Sequence, residues 1–196
     1  SGARPGDIIC MTGCAGAGNL EAALGIYSGN AFIRRITNRY KTRLPLRVRE
    51  SAVVREFATS CIDSSDGIIH ALISLSEMNE TGFELENIPY HPGGLVACKV
   101  LSKRKELLLL GECGEYELVF TVPENDLSAF FRKAEDQQLN LSAIGRMTEK
   151  PEKILTASEK TIDLTPFKIR GRDYEDISLY LDTLTQYLTS HEKSTK

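Results

Sequence analysis

Short apolar runs alternate with glycine-, proline- and serine-rich turns along this chain. Residues 7–12 (DIICMT) form an apolar run between Pro5-Gly6 and Gly13, which predicts a buried strand. A glycine-rich turn over 13–18 then leads into a helix over 19–27, with Leu20, Ala23, Leu24 and Tyr27 on one face. After a break at 28–30, Phe32, Ile33 and Ile36 mark a second helical stretch. Leu44-Pro45-Leu46 reads as an extended link, because proline disfavours helix in the residue before it. A helix over 50–59, a polar turn over 61–67 and an amphipathic helix over 68–80 follow, the last with Ile69, Leu72, Ile73 and residues 75–78 on one buried face.

In the second half, residues 83–88 (FELENI) read as a strand and Gly93-Gly94 starts a helix to about residue 104. Residues 117–122 (ELVFTV), rich in branched and aromatic side chains, give the clearest strand signal. Pro123 suits the first turn of a helix running to about 137. Short strands over 142–147, 153–155 and 161–164 precede a final helix over 174–188 and a frayed tail after Ser190. Helices and strands mix without strict alternation, which predicts an α+β fold with a mixed β-sheet and packed helices. One domain over 1–189 and a tail over 190–196 account for the 196 residues.

Composition narrows the function classes. The 24 basic and 27 acidic residues leave a net charge of −3, so the chain lacks the positive field that draws nucleic acid or anionic lipid. A local basic stretch from Arg34 to Arg49 offers a face for phosphate, but fits a solvated helix face with loop better. No apolar run reaches the roughly 18 residues that a membrane-crossing helix needs. The five cysteines include no C-x-x-C pair and no histidine at ligand spacing, which excludes a zinc site or disulfide framework and points to a reducing cytoplasm. The chain opens on Ser-Gly-Ala-Arg-Pro-Gly-Asp, as a segment cut from a longer protein would.

The segment richest in chemistry is Cys61-Ile62-Asp63-Ser64-Ser65-Asp66-Gly67, at the mouth of a predicted helix. If the turn is helix-like, Asp63 and Asp66 face the same side, their β-carbons about 5–6 Å apart. Paired carboxylates suit Mg²⁺, which takes one or two of them and completes its shell with phosphate oxygens and water. The helix start offers free N–H groups to a phosphate. The plainer alternative is a helix N-cap, for which Asp and Ser are favoured, although a cap needs one such residue and not four. Two further segments stay open in the same way. The turn over 13–18 has the spacing G-x-x-G-x-G, which fits a tight structural turn better than a dinucleotide fingerprint. Glu112, Glu115 and Glu117 precede the best strand, as solvated turn residues or as groups that orient a ligand. His70, His91 and His191 are scattered; on its helix, His70 suits a surface or interface role better than catalysis.

Taken in order, these segments resemble the carboxy-terminal domain of the aminoimidazole-ribonucleotide-synthetase-related superfamily, in the pattern of thiamine-monophosphate kinase. Gly6-Asp7 with its strand and Thr12-Gly13, then Asp63, Ser65, Asp66 and Gly67 as D-x-S-D-G, carry the likeness. Tyr116-Glu117-Leu118, Ile144-Gly145, and Gly171, Asp173 and Tyr174 extend it over nearly the whole chain.

The resemblance implies ATP-dependent phosphoryl transfer, with Asp63 and Asp66 holding Mg²⁺, and Ser65 and Gly67 meeting the nucleotide phosphates. It also implies an amino-terminal domain elsewhere in the protein that carries most nucleotide-binding acids, a homodimer formed through it, and an inactive isolated fragment. Glu115 and Arg172 become the substrate-facing candidates. Two departures from the kinase pattern bear on the acceptor: Gly114 replaces an acid, and Arg172 replaces a stacking aromatic. A guanidinium in place of an apolar face predicts an acceptor other than thiamine monophosphate and more anionic. No general base is identified. The competing expectation is a regulatory or interaction domain that keeps the fold without the chemistry.

Overall fold

The computed structural model describes residues 2–26, 31, 35 and 46–194. The predicted helical stretch around Phe32, Ile33 and Ile36, and the 44–45 part of the extended link, lie outside those residues. A single eight-stranded sheet runs through the molecule in the order β2-β4-β1-β5-β3-β6-β7-β8. Its strands are β1 (Ile8–Thr12), β2 (Ser60–Asp63), β3 (Gly82–Leu85), β4 (Leu118–Val122), β5 (Leu141–Thr148), β6 (Lys153–Ala157), β7 (Lys160–Asp163) and β8 (Glu192–Ser194). All neighbours pair antiparallel except β3 and β6, so the sheet is mixed, as the sequence predicts.

Seven α-helices are described: α1 (Ala17–Ile26), α2 (Val48–Phe57), α3 (Ile68–Met78), α4 (Pro92–Val100), α5 (Leu107–Leu110), α6 (Leu127–Asp136) and α7 (Ile177–Ser190). Strand side chains alternate between faces, and this sheet is buried on both. Ile9, Met11 and Val119 turn toward α3, α5 and α7 in the larger core. Ile8, Cys10, Phe120 and Val122 turn the other way, toward Val53 and Val54 of α2 and Phe130 of α6. Phe130 meets Phe57 and Phe120 edge-on at centroid distances of 5.7 and 5.6 Å. Full burial of such a side chain contributes about 1.5–3 kcal/mol.

Four sequence expectations need correction. The polar turn begins later than residue 61, because residues 60–63 form edge strand β2, paired with Leu118–Val122 from Ser60↔Thr121 to Asp63↔Leu118. The pairing is backbone to backbone, so the polar side chains of β2 gave no alternating signal. Helix α3 is buried nearly all round: Ile68, Ile69, His70, Ala71, Leu72, Ile73, Leu75 and Ser76 are all inside, and Met78 projects outward. The four-leucine helix α5 was not predicted, being one turn long. Lastly, the chain past Ser190 is no frayed tail. Residues 192–194 add an eighth strand to β7, and Glu192 pairs with Arg104 at 2.9 Å and Lys160 at 2.8 Å.

Candidate functional site

Strand β2 delivers Asp63 to the end of the sheet edge, and the turn that follows delivers Ser65 and Asp66 to the start of α3. Ser64 fixes this turn. It is fully buried, its N–H donates to the Glu117 carbonyl at 2.9 Å, and its Oγ both donates to that carbonyl and accepts from the Glu117 N–H. Its own carbonyl accepts from the N–H groups of Glu115 and Gly67, each at 3.0 Å. The turn is thus bolted to the segment preceding β4. Gly67 has φ +87°, and a β-carbon there would lie 2.5 Å from the Gly111 carbonyl oxygen, so glycine is required on both counts.

The helix-like turn expected over 63–66 is therefore a strand end followed by a tight turn. The cap alternative also fails: α3 starts with Gly67 as its N-cap residue, and no side chain accepts from its first-turn amides. Asp63 and Asp66 are exposed instead, and Ser65 Oγ donates to Asp63 Oδ1 at 3.1 Å. Asp63, Ser65, Asp66, His70 and Arg170 line one cleft of about 200 Å³. His70, expected at a surface or interface, is 3% exposed, with its ring 5.5 Å from that of Phe167. Burial, with Arg170 nearby, lowers its pKa to about 4.

Beside Asp66, and joined to it through Arg172, is an ion-pair cluster around Glu112. The Arg172 Nε and Nη2 donate to Glu112 Oε1 at 3.1 and 2.8 Å, and the Arg172 N–H donates to Oε2 at 3.2 Å. Arg170 Nη1 adds a longer contact at 3.4 Å. Burial raises the Glu112 pKa, but the Arg172 hydrogen bonds outweigh it and hold the carboxyl below its ordinary value. Arg172 Nη2 also reaches Asp66 at 3.3 Å. Arg172 is not among the residues that line the cleft; its guanidinium is bound to two carboxylates, one of which, Asp66, does line it.

Glu115 is placed differently from the substrate-facing position expected of it. It is 2% exposed, and its oxygens accept from the N–H groups of Gly16 and Gly18 at 3.0 and 2.9 Å and from Asn19 Nδ2 at 3.2 Å. Its carboxylate fills the concavity that a bare glycine loop would offer to a phosphate, which makes residues 13–18 a structural turn. Burial nonetheless raises its pKa, against the opposing backbone hydrogen bonds. Glu117, left open by the sequence, is also buried. It takes Arg47 in a fork (Nε at 2.6 Å, Nη2 at 2.5 Å) and accepts from Thr12 Oγ1 at 2.5 Å. No local pattern revealed these partners, which lie 70 and 105 residues away.

The donor set around Asp63 and Asp66 is all oxygen, the chemistry that suits Mg²⁺. Among the described residues no group of three His, Cys, Asp or Glu side chains is arranged to hold a metal. All five cysteines are free. No described helix is long and apolar enough to cross a membrane.

No family model matches the chain. It is 32% identical over 148 residues to the thiamine-monophosphate kinase of Pyrococcus abyssi, covering 75% of this chain and 44% of that protein. It is 28% identical over 181 residues to that of Pyrococcus horikoshii, covering 90% and 55%. The chain thus spans about half the length of the curated relatives it matches. In structure it is similar to the thiamine-monophosphate kinase of Stenotrophomonas maltophilia K279a, with a TM-score of 0.67 at 21% identity over 78% of this chain and 51% of that one. AaThiL complexed with AMPPCP and TMP gives 0.65 at 21% identity over 79% and 49%. Escherichia coli HypE, a hydrogenase maturation protein, gives 0.62 at 15% identity over 79% and 47%. The mixed sheet and its helices match the α+β topology of such structures, and in sequence the chain is similar to thiamine-monophosphate kinases.

Proposed function

We propose that this chain is the carboxy-terminal domain of an ATP-dependent phosphoryl-transfer enzyme of the aminoimidazole-ribonucleotide-synthetase-related superfamily. In this reading Asp63 and Asp66 hold Mg²⁺ at the cleft, and Ser65 and the uncapped start of α3 at Gly67 meet the nucleotide phosphates. The observation that carries it is the state of that turn: two carboxylates and a hydroxyl at a helix mouth, none spent on the helix, all lining one cleft. The ion's contribution when bound is to neutralise charge on the phosphate oxygens. The protein's own part is positioning: Ser64 clamps the turn, Ser65 orients Asp63, and Arg170 supplies a cation on the opposite wall. A homodimer formed through a separate amino-terminal domain would complete the nucleotide site, and this chain by itself would not turn over.

The acceptor in this reading is more anionic than thiamine monophosphate. Arg172 lies at the rim where a stacking aromatic would otherwise receive the acceptor's ring. The similarity to thiamine-monophosphate kinases weighs on the other side, so the acceptor is decided by assay. Selective phosphorylation of thiamine monophosphate by the whole protein would overturn this part of the proposal.

A second reading, a regulatory domain that keeps the fold without chemistry, is favoured by two observations: Glu115 occupies the glycine turn and Arg172 pairs with Asp66. Titration of Mg²⁺ and nucleotide into the full-length protein, wild type and Asp66→Asn, separates the two. The enzyme reading expects Mg²⁺-dependent nucleotide binding and turnover that fall at least tenfold in the variant. Equal binding and turnover in both proteins would remove Asp66 from the metal role.

A further inference from the structure

One group in the cleft has no role in the reading above. Helix α3 is apolar on both sides of His70, with Ile68, Ile69, Ala71, Leu72 and Ile73 all buried. Packing against Phe167 would be served as well by a phenyl or isobutyl group. Instead an imidazole sits there, and its Nε2 is buried without a hydrogen-bond partner. Leaving such a group unpaired is costly, and native interiors leave few of them so. The same side chain lines the cleft that Asp63, Asp66 and Arg170 also line. A third metal ligand is not the explanation, since no three-ligand arrangement exists among the described residues.

We propose that His70 is a ligand-contacting residue of this cleft, its Nε2–H donating to an oxygen of a phosphoryl group held between Arg170 and a cation on Asp63 and Asp66. The inference rests on the phosphoryl-transfer reading and assigns one more contact within the same site. Arg170 spends one donor on Glu112 at 3.4 Å, leaving the rest of its fork for the same phosphoryl group. His70 thereby gains on ligand binding the partner that the free protein does not give it. A hydrogen bond to a charged acceptor is worth about 1.5–3 kcal/mol, which corresponds to an affinity change of roughly tenfold or more.

The probe is inorganic pyrophosphate with Mg²⁺, titrated into wild type, His70→Phe, His70→Gln and Asp66→Asn. The imidazole nitrogens of ¹⁵N-histidine-labelled wild type are followed by NMR in parallel. Glutamine can place an amide N–H near the Nε2 position, whereas phenylalanine keeps the packing and removes the donor. The proposal expects the Nε2 resonance of His70 to shift on binding, about tenfold weaker binding in His70→Phe, and recovery to within about threefold in His70→Gln. If wild type binds, Asp66→Asn does not, and neither the Nε2 resonance nor the His70→Phe affinity changes, the His70 contact is wrong while the cleft reading stands. If wild type itself fails to bind, the cleft reading falls and His70 with it. The NMR arm needs no substitution, so a variant that fails to fold does not spare the proposal.

Discussion

The Arg172 guanidinium bridges Glu112 and Asp66, reaching Asp66 at 3.3 Å across 106 residues of chain. The two ends of this bridge differ. The Glu112 side chain is 10% exposed, whereas Asp66 and Arg172 are 63% and 62% exposed. An exposed pair of that kind contributes little, so Arg172 covers Asp66 without locking it. A cation arriving at Asp66 displaces the guanidinium at small cost. Replacing Arg172 by Gln is therefore expected to tighten Mg²⁺ binding by about two- to fivefold, while the fold loses stability because Glu112 loses its guanidinium partner. Calorimetric titration of both proteins checks this; weaker Mg²⁺ binding in the variant would mean that Arg172 supports the metal site.

Glu115 carries a structural load that its place in the sequence conceals. Glu115→Ala leaves the N–H groups of Gly16 and Gly18 buried without acceptors, and should cost about 2–4 kcal/mol in chemical denaturation. Glu115→Gln, which keeps an acceptor and loses a buried charge, should cost much less. Equal stability of Glu115→Ala and wild type would return Glu115 to the ligand side.

Two groups near the cleft lose their contribution to stability on acidification, in different windows. For Glu112 the folded pKa lies below the ordinary 4.5, so its stabilising contribution is complete above that pH and is lost as pH falls through the folded value. The stability advantage of wild type over Glu112→Gln should accordingly be constant above about pH 4.5 and shrink below it. A difference that grows on acidification would contradict the ion-pair assignment.

His70 titrates in a separate window. Its folded pKa is lowered from 6.5 to about 4, so the unfolded chain takes up a proton that the folded chain refuses. Stability from this group is present above pH 6.5 and lost as pH falls toward 4. His70→Gln should lose less stability than wild type between those limits. Parallel urea melts at several pH values measure it.

What could be read from the sequence follows a physical divide. Strands β1 and β4 and helix α6 were legible because their apolar residues are continuous or periodic enough to mark burial locally. Strand β2 was not, since its membership depends on backbone pairing with residues nearly sixty positions away. Strand β8 was missed for the same reason: three mostly polar residues become a strand only because β7 presents an open edge and Arg104 and Lys160 hold Glu192. At the site, residue types and order pointed to Asp63, Ser65 and Asp66, and the cleft contains them. His70 was passed over because a lone histidine on a helix reads as a surface or interface group, and its burial depends on the elements packed over it. The burial of Glu115 and Glu117 was hidden too, because charged residues around glycines look like a solvated turn until the loop that encloses them is seen.

The central claim is that a divalent cation and phosphate meet at the turn between β2 and α3. Mn²⁺, as a paramagnetic stand-in for Mg²⁺, reports its own location through the NMR signals that it broadens. With a non-hydrolysable nucleotide present, broadening should centre on residues 63–67 and His70, and in Asp66→Asn should weaken sharply there. Broadening centred elsewhere on the chain, or unchanged at this turn in Asp66→Asn, would contradict the account.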